Sequence, residues 1–271
     1  MWIEVLKGFI LGIIQGITEW LPVSSTGHMI LFEYWFPFTF TKAYVNLFFV
    51  FIQMGSILAV VFLFFKILNP FSAKKSKTQR NQTFILWEKI ILASVPAALV
   101  GFYFDDLIDQ YFYNPLTIAA MLILYGVLFL VVEKDRAPAR IEHLRDLSYV
   151  DALFMGIFQT FALIPGTSRS GATILGGLWL GATRPVAAEF SFLMAIPVMF
   201  GAGFLKLIRA GFDWTGLQWG ILALGTLTAF IVSVVIIRFL MAYIRKHDFK
   251  VFAYYRFVLA AAVLVLLFLN R

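Results

Sequence analysis

Long apolar runs alternate with short polar connectors along this chain. Apolar stretches of similar length fall at roughly Tyr44–Phe65, Trp87–Phe104, Pro115–Val132, Arg184–Leu205, Leu217–Leu240 and Val251–Phe268. About twenty residues of helix cover the hydrocarbon core of a bilayer, so each stretch predicts a transmembrane helix. Two further apolar segments, about Lys7–Phe36 and Tyr149–Leu180, are interrupted by polar residues. The first contains GIIQGITEWLPVSSTGHMIL (Gly12–Leu31), which starts as an apolar helix yet carries Gln15, Glu19, Ser24, Ser25, Thr26 and His28. Pro22 has no N–H and disfavours helix at Leu21, so the helix is predicted to stop near Trp20. Ser24, Ser25 and Thr26 are good N-caps for a second helix just after them. The pattern is helix, break, helix, with a polar tip. So apolar a chain gathers such groups only where they face something polar.

Composition supports a polytopic membrane protein. Of 271 residues 61% are hydrophobic and only 14% charged, against about a quarter charged in soluble domains. The net charge of +7 is no nucleic-acid signal, because Lys and Arg cluster in loops between apolar spans. With no Cys, disulfides, thiol nucleophiles and thiolate metal sites are excluded. The start, MWIEVLKGFI, lacks the basic region and cleavage site of a signal peptide, so its apolar segment is expected to be kept.

Charge sets the expected orientation. The loops around Lys74, Arg140 and Lys246 hold most of the basic residues, whereas the short stretch Asp105–Gln110 has none. All three basic loops fall on the cytoplasmic side if each interrupted segment enters and leaves by one face. The fold class expected is therefore an all-α polytopic membrane protein, residues 1–271 forming one integral membrane domain with six transmembrane helices and two re-entrant helix-loop-helix segments. An internal repeat points the same way: GIIQGITEWLPVSSTGHMIL lies against GIFQTFALIPGTSRSGATIL (Gly156–Leu175), its proline shifted by one residue. Three spans follow each copy, an odd number, so the halves (about 1–135 and 149–271) are expected to be inverted. Inverted repeats place their broken helices, and the site, near the midplane.

The polar residues of the breaks are the candidates for chemistry. Gln15 and Glu19, four apart, share a helix face. Ser25 and His28, three apart, can meet, and a histidine beside a serine can serve as base or proton donor. The second tip, Pro165–Gly171, supplies Gly166, Thr167, Ser168, Arg169 and Ser170, with Thr173 a turn further. Free N–H groups at a helix start attract anions, and the arginine fork suits phosphate. Each residue has a plainer use: N-capping for the serines, a protonated structural glutamate, an arginine paired with Glu19. Gln53 and Glu189 are lesser candidates, equally suited to helix–helix hydrogen bonds. Together the constellation favours a phosphate. A carboxylate beside it calls for a divalent cation, Mg²⁺ or Ca²⁺, on Glu19 with Gln15 helping.

At these residues the sequence resembles the undecaprenyl-diphosphatase family, the bacitracin-resistance integral membrane proteins of bacteria. The family's first motif is matched by Gln15, Glu19 and PVSSTGH (Pro22–His28), its second by PGTSRSGAT (Pro165–Thr173). Position 15 is Gln where many members carry Glu, which leaves one carboxylate fewer for a metal. The resemblance implies hydrolysis of undecaprenyl diphosphate, a prenyl diphosphate lipid, to undecaprenyl phosphate and inorganic phosphate. It further implies lipid-carrier recycling for peptidoglycan synthesis, bacitracin resistance, and a multi-pass protein of the inner membrane with an extracytoplasmic site. Glu19, Ser25, His28 and Arg169 would then be essential, with Ser24, Thr26, Gly166, Thr167, Ser168, Ser170 and Thr173 around the phosphate. Either Ser25 or His28 could attack. Membrane lipids are the expected surroundings, no nucleic acid is expected, and a homodimer is left open. The alternatives are a lipid flippase that binds the same head group without cleaving it, and a phosphatidic-acid-type phosphatase. The latter's later Arg and His-x-x-x-Asp set is not found.

Overall fold

The computed structural model describes residues 2–134 and 138–269, the side chains of Asp105, Asp106 and Asp109 excepted. Residues 135–137 of the Arg-rich connection lie outside the described residues. The helices in chain order are α1 (Trp2–Thr18), α2 (Ser25–Trp35), α3 (Lys42–Leu63), α4 (Phe65–Leu68), α5 (Lys77–Phe112) and α6 (Pro115–Lys134). They continue as α7 (Tyr149–Phe161), α8 (Arg169–Trp179), α9 (Arg184–Ala210), α10 (Gly216–Tyr243) and α11 (Lys250–Leu269). No strand occurs among the described residues; Ile141 and Ala182 form an isolated bridge. Six helices, namely α3, α5, α6, α9, α10 and α11, are long and apolar enough to cross a membrane. Large apolar side chains such as Phe102 and Val258 point outward from them. The chain is a multi-pass membrane protein.

Both expected breaks are present, between α1 and α2 and between α7 and α8. One expectation needs correction. The second span is far longer than Trp87–Phe104, and Asp105–Gln110 is helical backbone rather than a loop. A capping box of Ser76 and Gln79 starts α5 inside the basic stretch, ten residues before Trp87, and the helix runs on through Pro96. Span hydropathy marks only the lipid-buried part of such a helix.

The ends of each broken pair are tied together. Lys7 at the start of α1 donates to the Pro37 carbonyl at 2.6 Å, and Thr39 N–H to Glu4 at 3.4 Å. Arg140 and Ile141, ahead of α7, donate to the Gly181 carbonyl just past α8 at 2.9 and 3.2 Å. Glu133, buried at the end of α6, accepts from Arg184 of α9 and from the Phe249 N–H before α11. Tyr149 bonds Glu88, and Trp87 donates to the Leu68 carbonyl. The connections that carry Lys74, Arg140 and Lys246 thus gather at one end of the bundle.

Packing partners come in matched pairs. α1 lies on α10 and α7 on α5; α3 packs on α10 and α9 on α5; α2 touches α11 and α8 touches α6. Exchanging α1 with α7, α2 with α8, α3 with α9, α5 with α10 and α6 with α11 maps these three contacts onto their mates, although the packing of α8 on α9 has no comparable counterpart between α2 and α3. The glycines that open the two repeat copies both press against the backbone of a neighbouring helix. A Cβ on Gly12 would lie 2.6 Å from the Gly225 carbonyl oxygen, and one on Gly156 would lie 2.4 Å from that of Ala93. Backbone cannot move aside cheaply, so Gly156→Ala is expected to lower the stability of the detergent-solubilised protein by about 1–3 kcal/mol, the usual cost of overpacking. A thermal melt with an unchanged midpoint would contradict this.

Candidate active site

Both breaks end in the same local geometry. Ser24 and Ser168 have φ of 73° and 71°, the left-handed region that non-glycine residues rarely occupy. Each caps the helix that follows: Ser24 Oγ accepts from Gly27 N–H and Ser168 Oγ from Gly171 N–H. Gly166, with φ of 93°, turns the second tip, and a Cβ there would collide with the Ile118 carbonyl oxygen at 2.6 Å. Two helix N-termini, each a seat for an anion, are thereby held by strained turns.

Glu19 and Arg169 join the tips. Arg169 Nε and Nη2 reach Glu19 Oε1 at 3.2 and 3.1 Å, and Nη1 donates to the Ser191 carbonyl of α9 at 2.9 Å. The Arg169 guanidinium lies 5.2 Å from the centre of the buried Trp20 ring, a cation–π contact. The other carboxylate oxygen, Glu19 Oε2, accepts from Gln15 Nε2 at 3.0 Å and from Ser25 Oγ at 3.4 Å. Ser170 Oγ donates to the Glu19 carbonyl at 2.9 Å, stitching α8 to the end of the first helix. Thr173, fully buried, donates to the Arg169 carbonyl at 2.8 Å and sits 2.6 Å from Ser191 Oγ. A buried ion pair needs this many partners to offset its desolvation.

His28 takes a different position from the one its spacing implied. It does not bond Ser25. Nδ1 is 2.7 Å from the Ser24 carbonyl and Nε2 is 2.7 Å from Tyr255 Oη, with the two rings stacked. A carbonyl only accepts, so Nδ1 carries the proton, and Nε2 of the neutral ring is the basic nitrogen, turned toward Tyr255. The nearest acceptor for the Ser25 hydroxyl is therefore Glu19.

Of the other expected residues, Thr26 is half-buried in the first turn of α2, while Thr167 is fully buried with its hydroxyl unpartnered. The lesser candidates are engaged elsewhere. Gln53 donates to the Phe49 carbonyl of its own helix at 3.1 Å. Glu189 is half-buried on α9, within the electrostatic reach of Arg245 at the α10–α11 connection. The sequence reading missed Trp20, Ser191, Tyr255 and Arg256. An arginine inside a predicted span was a usable signal; nothing set Ser191 apart.

A helical multi-pass membrane protein, with an arginine–glutamate pair and a serine at the junction of two broken helices, has the makings of a site for an anionic membrane-borne head group. The comparisons give that class its family. The family described as "Bacitracin resistance protein BacA" matches residues 8–262, and the chain belongs to it. It is 51% identical over 267 residues to "Undecaprenyl-diphosphatase 1" of Clostridioides difficile, covering 98% of this chain and 97% of that protein. It is 51% identical over 267 residues to "Undecaprenyl-diphosphatase" of Desulfitobacterium hafniense, covering 97% and 96% of the two chains. A protein of that name from Enterococcus faecalis is 50% identical over 268 residues, with 97% of each chain covered.

Proposed function

We propose that the protein hydrolyses undecaprenyl diphosphate to undecaprenyl phosphate and inorganic phosphate. It thereby recycles the lipid carrier for peptidoglycan synthesis in the bacterial inner membrane and confers bacitracin resistance. The observation that carries this reading is the Glu19–Arg169 pair, which brings Ser25 and the N-termini of α2 and α8 to one place. In this reading each broken pair is re-entrant, because its two ends are tied together. The halves are inverted, since an odd number of spans separates the repeat copies. The basic connections lie in the cytoplasm, and the site opens to the extracytoplasmic side.

The residues divide the work as follows. Arg169 and the amides at the start of α8 bind the terminal phosphate, with Ser168, Ser170, Thr173, Gly166 and Thr167 shaping the cradle. Ser24 and Thr26 do the same at α2. Ser25 Oγ attacks the terminal phosphorus and its proton passes to Glu19 Oε2. The bond from that phosphorus to the bridging oxygen breaks, and the lipid monophosphate leaves. Water then cleaves the phosphoserine: the bond from phosphorus to Ser25 Oγ breaks, Glu19 returns its proton to that oxygen, and the water's proton goes to His28 Nε2 and on to solvent. Tyr255 holds that nitrogen in the resting site and gives way as it takes the proton.

A divalent cation, Mg²⁺ or Ca²⁺, fits the donor set. Gln15 Oε1 is buried and accepts no hydrogen bond, and it neighbours the Glu19 carboxylate. Among the described residues no group of three or more His, Cys, Asp or Glu could hold a metal alone, so a cation held by Glu19 and Gln15 would need further oxygen ligands, which a bound diphosphate could supply. When bound, the cation neutralises charge on the diphosphate and offsets its repulsion by Glu19.

The test is phosphate release from undecaprenyl diphosphate by the purified protein in detergent. Steady release is expected, abolished by a chelator and by Glu19→Ala, and restored to the wild type by added Mg²⁺ or Ca²⁺. Chelator-resistant release would remove the cation. Binding of the lipid without release would favour the flippase reading, which the exchange of packing partners between the halves also fits.

A further inference from the structure

We propose that Arg256 is a positioning residue: its guanidinium clasps the two tips together and sets the distance between them. Arg256 lies on α11, in the interior of a membrane-spanning helix, and is completely buried. Its donors are spent on backbone. Nη1 reaches the Pro22 carbonyl of the first tip at 2.8 Å. Nη2 reaches the Gly166 and Thr167 carbonyls of the second tip at 3.0 and 2.6 Å. Nε points to the Leu122 carbonyl of α6 at 3.4 Å, and the group sits 5.5 Å from the centre of the Tyr125 ring.

The chemistry explains why an arginine stands there. Pro22, Gly166 and Thr167 lie in helix breaks, so no helical N–H answers their carbonyls. Buried carbonyls left unpaired are costly. One planar fork answers carbonyls from two segments that are distant in sequence, with directions fixed by the guanidinium plane. A lysine has a single donor atom and cannot span them. Burial of a cation in a membrane-spanning helix is itself expensive, and all its acceptors here are carbonyls of the tips and of α6. Its contribution to the reaction is therefore indirect, through the separation of Ser25 and Arg169, which sit directly after Ser24 and Ser168 on the clasped turns. Gly171 fits the same picture. A Cβ there would stand 2.9 Å from Arg256 Nη1, so the start of α8 leaves space for the fork.

The test uses the full-length protein in detergent and Arg256→Lys. Three readouts are taken: kcat and KM for phosphate release, amide hydrogen exchange across the tips (residues 19–27 and 163–171), and exchange in α3 and α9. Expected are about tenfold faster exchange at both tips, with α3 and α9 unchanged. Expected also is a kcat loss of about 100-fold, the scale of a 1 Å misplacement, with KM within about threefold of wild type. Quiet tips with wild-type kcat would overturn the proposal. So would a rise in KM alone, which would make Arg256 a direct substrate ligand, or faster exchange throughout the bundle. If Arg256→Lys does not fold, Gly171→Ala carries the test. It crowds the fork with Arg256 in place, and unmoved tips there overturn the clasp. The kcat readout rests on the phosphatase reading. A wild type that releases no phosphate would sink that reading, while tip exchange would still judge the clasp.

Discussion

Ser25→Ala is expected to reduce phosphate release from undecaprenyl diphosphate by about 10³-fold or more, the scale seen when a nucleophile is removed, while the protein stays folded. The structure separates the two effects. Ser25 makes one long hydrogen bond, 3.4 Å to Glu19. The cap of α2 is Ser24, not Ser25, and alanine is a good residue for the first turn. A melting midpoint near that of wild type should therefore accompany the lost activity. Ser24→Ala should behave in the opposite sense, losing about 1 kcal/mol with its cap and less of its activity. Near-normal turnover in a folded Ser25→Ala protein would move the attack to His28 or to water.

Arg169→Met is expected to damage both stability and activity. It would leave the Glu19 carboxylate buried without its cation, a loss of about 3–5 kcal/mol when one partner of a buried pair is removed. Phosphate release should fall to background. Arg169→Lys keeps the charge and should melt closer to wild type. It cannot bond Glu19 and the Ser191 carbonyl together as the fork does, so release should still drop about 10²–10³-fold, the scale for losing a preorganised donor. The double variant Glu19→Gln with Arg169→Met should be more stable than Arg169→Met alone, because no unpaired charge remains. A double variant that is less stable than the single one would mean the pair contributes nothing specific to the junction.

Much of this site was legible in the sequence, for a physical reason. Pro22 and the run of capping residues announce a break whatever surrounds them, and so apolar a chain gathers a cluster such as Gln15, Glu19 and Ser25 only where it faces something polar. The meeting of Glu19 with Arg169, residues 150 apart, followed from the repeat and the charge bias rather than from any local signal. What escaped was orientation and tertiary partnership. Spacing allows Ser25 and His28 to touch, yet the Ser24 carbonyl and Tyr255 take the ring away from the serine. Ser191 contributes its backbone carbonyl to Arg169, a role that side-chain identity does not reveal. The length of α5 escaped because a capping box inside a basic stretch outweighs the drop in hydropathy. Arg256 was visible as a charge within an apolar span, but its acceptors are carbonyls, which leave no mark on the sequence.

The most direct measurement is an experimental structure of the protein with a prenyl diphosphonate, in which a methylene group replaces the bridging oxygen. The account expects the head group between the starts of α2 and α8, its terminal phosphonate within hydrogen-bond reach of Arg169 and in line with Ser25 Oγ. A diphosphonate seated elsewhere on the bundle, with the Glu19–Arg169 junction closed and dry, would contradict it.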